Sequence, residues 1–223
     1  AARIDFRELR LPLAPSAFPE LERDVRGYWR QVKSVARRSS AVVSEFPSAG
    51  TPALRELVFY DTPAADLHRR GHHLRTRARI VRGEATAGYQ LSLSCRGTEL
   101  RRVADADVLA SPQYEGRDVL REEVAPAPGG GSVRAWSRTC TLREHRWDVG
   151  PRFSDAIRIF PGLGDLPVLP TAALRPVGAA PVEELHVLLG ELDFGSTGGR
   201  ISLDVWRDGW SGEKLAMELC VET

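Results

Sequence analysis

The stretch Leu74-Arg75-Thr76-Arg77-Ala78-Arg79-Ile80 alternates strictly between charged and uncharged side chains. A period of two marks a β-strand, in which successive side chains point to opposite faces of the sheet. Arg75, Arg77 and Arg79 therefore share one face, and Leu74, Thr76, Ala78 and Ile80 the other. Neighbouring guanidiniums on such a face stand about 7 Å apart. Each pair repels by roughly 0.6 kcal/mol in water, but by roughly 2.4 kcal/mol at an effective dielectric near 20. A solvated row costs little; a secluded row requires anions. Two architectures satisfy this segment. One is a sheet with a single wet face. The other is a closed barrel whose apolar strand faces point outward beneath helices, leaving a polar lumen with basic and acidic sectors.

The rest of the chain supplies the strands for either. Arg3 to Leu11 alternates and stops at Pro12. Leu57-Val58-Phe59-Tyr60, His73 to Ile80 and Tyr89 to Arg96 follow, separated by Pro63, Gly71 and Gly83. After Pro181 come Val182 to Leu189, Arg200 to Trp206 and Lys214 to Glu222. In the last of these, Glu218, Cys220 and Glu222 share a face opposite Leu215, Met217, Leu219 and Val221, an acidic counterpart to the arginine row. Between Ser16 and Arg38, Leu21, Val25, Tyr28, Trp29, Val32 and Val35 recur at spacings of three and four, which predicts an amphipathic helix. Pro126 to Ser132 and Pro161 to Pro181 read as loops. The pieces between them are too short to close separate cores, so residues 1–223 are expected to form a single domain.

Composition removes several classes of function. The 31 Lys plus Arg and 30 Asp plus Glu nearly cancel, so no global field steers the chain onto duplex nucleic acid or an anionic membrane. Lys33 and Lys214 are the only lysines, and the remaining basic charge is arginine, whose planar fork suits phosphate and carboxylate. Cys95, Cys140 and Cys220 are too few and too scattered for a disulfide framework and favour a reducing compartment. With no apolar run of about 18 residues and no signal-peptide core, the expected location is cytoplasmic. Because the chain opens on Ala1, it reads as a piece of a longer one, with a fused or associated domain left open. Gly129-Gly130-Gly131 is not followed by a Lys-Ser/Thr helix start and is no phosphate loop. His68, His72 and His73 lack zinc spacing and read as surface histidines.

The segment Phe59-Tyr60-Asp61-Thr62-Pro63, followed by Leu67 through Gly71 and then Leu74-Arg75-Thr76-Arg77, resembles the signature of the CYTH family, the triphosphate tunnel metalloenzymes. Tyr89 to Ser94 is similar to that family's next strand, Arg121-Glu122-Glu123-Val124 to its acidic strand, and Ile201 to Asp204 with Met217 to Glu222 to its closing pair. The resemblance implies an α+β fold: an eight-stranded antiparallel β tunnel, closed as a barrel, with helices packed outside. It further implies that arginines hold a triphosphate or longer phosphate chain while carboxylates bind Mg²⁺ or Mn²⁺, and that catalysis is metal-assisted phosphoryl transfer.

On this basis Arg75 and Arg77 are the expected phosphate clamp, helped by Arg79, Arg96 and Arg10. Glu218, Glu222, Asp204 and Glu8 are the expected metal ligands, with Glu218 also counted among the catalytic residues. Departures from the pattern are specific. The family's Glu-x-Glu-x-Lys opening strand is replaced by Arg3-x-Asp5-x-Arg7 or Phe6-x-Glu8-x-Arg10, the expected lysine is Ser94, and Glu183 and Glu184 stand where a base would help. Arg138, Arg143 and Arg146 are alternative sources of that charge. Two functions follow: hydrolysis of inorganic or organic triphosphate, or a tunnel that binds a phosphate ligand or mediates an interaction without turning it over.

Overall fold

The computed structural model describes residues 3–46, 52–81, 84–85, 89–143, 147 and 151–223. The strands are β1 (Phe6–Leu13), β2 (Val42–Glu45), β3 (Ala53–Asp61), β4 (His72–Val81), β5 (Glu84–Ala85), β6 (Gln90–Gly97), β7 (Gly116–Pro126), β8 (Ser132–Arg143), β9 (Arg175–Pro176), β10 (Val182–Asp193), β11 (Gly198–Asp208) and β12 (Lys214–Glu222). Among the described residues three α-helices accompany them: α1 (Leu21–Arg38), α2 (Leu100–Ala104) and α3 (Phe153–Ile159). Gly83 and Arg146 lie outside the described residues.

Neighbouring strands run β10-β11-β12-β1-β7-β8-β6-β4-β3, and β3 pairs back onto β10 to close a barrel of nine strands. β2 extends the pairing along β10, while β9 and β5 are short additions to β3 and β4. The closed barrel with helices outside agrees with the sequence reading; the strand count and the all-antiparallel expectation do not. The additional strand is β8. Its inward positions are Ser137, Thr139 and Thr141 and its outward ones include Arg138, so polar residues on both faces hide the period of two. A closed ring with an odd number of strands must contain a parallel junction, and here β1 lies parallel to β7, with Phe6 opposite Arg121 and Glu8 opposite Glu123. β1 is antiparallel to β12, with Glu8 opposite Glu222.

The apolar cores lie outside the barrel. One is built on Leu74, Leu91, Leu93, Cys95, Cys140 and Leu142, covered by Phe153, Ala156 and Ile159 of α3 and by Phe160 and Leu163. The other is built on Leu185, Val187, Ile201, Leu203, Val205, Met217 and Leu219, covered by Phe18 and by Val25, Trp29 and Ala36 of α1. Each fully covered Leu, Val or Ile contributes on the order of 1.5–3 kcal/mol, so both helical covers are held by the outward strand faces. Helix α1 begins five residues later than Ser16, after a short 3₁₀ turn at Pro15–Ala17. Glu22 and Asp24 in its first turn and Arg37 and Arg38 in its last complement the helix dipole. Strand alternation then sends the intervening residues inward, where the polar side chains of β4, β6 and β8 share the lumen with Phe6, Leu57, Phe59, Val119 and Trp206.

Candidate functional site

The Tyr60-Asp61-Thr62-Pro63 turn fixes where β4 enters the barrel. Asp61 is 6% exposed, and its carboxylate accepts the backbone amides of Thr62 at 2.7 Å, Leu67 at 2.9 Å and His68 at 2.9 Å. Thr62 donates from its hydroxyl to Asp66 at 2.6 Å. Gly71 then adopts a left-handed conformation with φ 75°, and a Cβ there would meet the Arg96 carbonyl oxygen at 2.5 Å. Asp61 and Gly71 therefore shape the backbone and deliver His73, Arg75 and Arg77 to the inner face.

The pairing of β3 with β10 encloses this face, and ion pairs run across it between non-adjacent strands. Arg77 of β4 reaches Glu184 of β10 at 3.2 Å, passing over β3, and Arg55 of β3 meets the same carboxylate at 2.9 Å. Arg96 of β6 reaches Glu123 of β7 at 2.7 Å, passing over β8. Arg75 is influenced by Glu184, by Arg121 of β7 and by Arg10 of β1, so charges from opposite walls act on one another.

Arg75 is the unbalanced member. Its Nε donates to Ser92 Oγ at 3.2 Å, and among the described residues no carboxylate forms an ion pair with it. Burial, and then the proximity of Arg77, push its pKa down to about 10. Arg77 is shifted in the same direction, by burial first, with Glu184 opposing. Its Nε is buried without a hydrogen-bond partner among the described residues. Glu184, only 4% exposed at its side chain, would be raised by burial, but Arg77 and Arg55 outweigh this and hold it below the ordinary carboxylate range.

The opposite wall is acidic. Glu8, Glu123 and Glu218 converge on Arg10, which lies 2.8 Å from Glu8, 3.7 Å from Glu123 and 3.3 Å from Glu218. Arg121 approaches the other Glu8 oxygen at 3.2 Å. Burial disfavours the charge on Arg10, but Glu123, Glu8 and Glu218 together raise its pKa. Asp204 is held at 2.6 Å by His186 Nδ1. Cys220, between Glu218 and Glu222, is pushed up by burial and then by Asp204, which keeps it a thiol.

The expected site residues are thus distributed unevenly. Arg75, Arg77 and Arg96 are brought to one chamber with Arg10, Glu8, Glu218 and Asp204. Arg79 is exposed at the end of that row, and Glu222 occupies the acidic strand next to Glu8. Arg138 is not part of the chamber, because it turns outward to Asp118 at 2.7 Å and to the Ala104 carbonyl at 2.7 Å. Arg143 is exposed at the end of β8. Sequence reasoning missed Arg55, Arg121, Glu123 and His186 as chamber residues, and it found Glu184 without its role as counter-ion. Their strands alternate, but only the pairing of β3 with β10 and of β7 with β1 sets them beside the predicted arginines.

The oxygen donors of this wall suit Mg²⁺ or Mn²⁺ in chemical type. Their arrangement does not fit a resident ion, because the Arg10 guanidinium stands at the point where Glu8, Glu123 and Glu218 converge. Among the described residues no group of three His, Cys, Asp or Glu side chains is disposed to hold a metal.

No protein-family model matches the chain, and no curated protein matches it. Among solved structures, it is similar to a candidate adenylate cyclase from Bacillus halodurans, with a TM-score of 0.44 and 14% identity over 97% of this chain and 79% of that one. It is likewise similar to a candidate adenylyl cyclase from Hippeastrum described as having a dominant triphosphatase activity, with a TM-score of 0.44 and 14% identity over 97% of this chain and 78% of that one. No helix among the described residues is long and apolar enough to cross a membrane.

Proposed function

We propose that the barrel binds the condensed-phosphate end of a small molecule, inorganic triphosphate or an organic triphosphate, inside its lumen. The observation that carries this reading is Arg75, a guanidinium inside a closed barrel that, among the described residues, holds only a serine hydroxyl and stands beside a second guanidinium. Secluded positive charge of this kind is costly without an anion. Arg75 and Arg77 take non-bridging phosphoryl oxygens, the Arg77 Nε gains a partner, and Arg96 supports from β6. Arginine's fork matches phosphate in two-point geometry. The Tyr-Asp-Thr-Pro and Leu-Arg-x-Arg segments, which resemble the CYTH signature, support the same ligand class.

A second reading, hydrolysis of the bound triphosphate, is favoured by the carboxylates Glu8, Glu123 and Glu218 facing the clamp. That reading requires Arg10 to leave the point where these carboxylates converge before they could hold Mg²⁺ or Mn²⁺. The Arg10 plug places binding ahead of hydrolysis. A calorimetric titration of tripolyphosphate, with and without Mn²⁺, run beside a phosphate-release assay, decides between them. Binding without release supports the binding tunnel, and metal-dependent release that is abolished in R75A/R77A supports the hydrolase. Absence of binding removes both.

A further inference from the structure

Two positions of β4 are accounted for by the clamp, and a third inward position precedes them. His73 lies one alternation before Arg75, opposite Ser94 of β6, with its ring 5.9 Å from that of His68 in an edge-on contact. It is half-buried, contrary to the expectation of a surface histidine. The groups acting on it are cationic or neutral: His68 in the turn before β4, Arg96 on β6, and Arg75 on the same face of β4 with His72 on the other. The nearby acids are committed elsewhere, Glu123 of β7 to Arg96 and Asp61 of β3 to three backbone amides. Burial, then His68, Arg96 and Arg75, lower the pKa of His73 and favour the neutral imidazole.

We propose that His73 is the third rung of the phosphate clamp and that it binds a phosphoryl oxygen as an imidazolium, so that a condensed phosphate enters the lumen together with a proton. The inference rests on the phosphate-binding reading above and adds to it the regulation of that site by pH. An anion among His73, Arg75 and Arg96 reverses the local field, and an opposite charge within hydrogen-bonding reach favours the protonated ring. By linkage, affinity then rises as pH falls through the interval between the free and bound titrations of His73, and levels off below the free value.

The test is calorimetry of the full chain with tripolyphosphate, in buffers of different ionisation enthalpy, from about pH 6 to 8. The wild type, H73Q and H73R are compared, so that protonation of the ligand itself cancels. The wild type is expected to take up about one more proton than H73Q and to gain up to about tenfold in affinity per pH unit lowered. H73Q should bind more weakly with a flatter profile, while H73R should bind tightly with the same flat profile. An imidazole NMR titration of the wild type, which needs no substitution to fold, should show the His73 ring gaining its proton when tripolyphosphate is added. Intact binding by H73Q with the wild-type proton uptake, or a His73 ring that stays neutral in the complex, overturns the role of His73 and leaves phosphate binding standing. Absence of binding by the wild type overturns both.

Discussion

Replacing Arg75 by methionine should stabilise the fold while weakening its ligand affinity. Methionine keeps most of the aliphatic volume and removes the charge. Two estimates give the size of the effect. Repulsion between Arg75 and Arg77, about 7 Å apart, amounts to roughly 2.4 kcal/mol at an effective dielectric near 20. Depression of the Arg75 pKa to about 10, from a guanidinium's ordinary value above 12, corresponds to roughly 3 kcal/mol. Allowing for partial solvent screening, a gain of about 2 kcal/mol is expected. For a chain of 223 residues this raises Tm by about 4–8 °C. The sign follows from the depressed pKa of a base: the penalty is present at every pH below about 10 and is relieved only as pH rises through that value. At pH 7 the full difference should therefore appear. Thermal melts of wild type and R75M, with and without tripolyphosphate, measure it. The ligand should raise the wild-type Tm and close the gap, and its affinity for R75M should fall at least about tenfold, the loss of one charge-assisted contact. A lower Tm for R75M, with ligand affinity retained, would refute the idea that Arg75 is held in readiness for an anion.

Other substitutions probe the remaining parts of the chamber. R10M leaves Glu8, Glu123 and Glu218 without their shared counter-charge; Mn²⁺ alone should then raise the melting temperature of R10M but not of the wild type, and an equal response in both would show that Arg10 does not block a metal. E184Q leaves Arg55 and Arg77 uncompensated and should cost about 3–5 kcal/mol, read as a fall in Tm of about 6–20 °C at pH 7. Because the Glu184 pKa is lowered in the folded state, its stabilisation is present above the unfolded carboxylate value and is lost as pH falls through the folded one, so the difference between wild type and E184Q should shrink in acid. D61A removes the acceptor for three amides and should cost about 3 kcal/mol or more, seen as lost cooperativity in urea unfolding; if melts are unchanged, Asp61 does not organise the turn.

The basic half of the chamber was legible because alternation in β4 assigns Arg75 and Arg77 to one face without reference to any other strand. The turn before it was legible for a similar reason: Asp61, Thr62 and Gly71 each answer a local backbone demand. The acidic half was less so. Glu8 is two residues from Arg10 in sequence, but that Arg10 would gather Glu218 as well depends on the register of β1 with β12, and Glu123 on its parallel pairing with β7. Register is a property of two strands at once. The same limit explains Arg55, whose own strand gives no sign that Glu184 will arrive beside it from more than a hundred residues away. It also explains why Glu8 and Glu218, expected around a metal, stand around the Arg10 guanidinium.

The pairing of β1 with β12 has a consequence for how the molecule comes into being. Arg7 and Thr223 exchange backbone hydrogen bonds at 3.1 and 2.9 Å, so the wall carrying Glu8, Arg10 and Glu218 exists only once β1 and β12 have met. Contacts of such long sequence separation form slowly. During synthesis β1 must wait with one edge unsatisfied until β12 leaves the ribosome, an interval in which it is exposed to pairing with other chains. Ligand affinity then waits on the pairing of β1 with β12, and its appearance can serve as a clock for closure of the barrel.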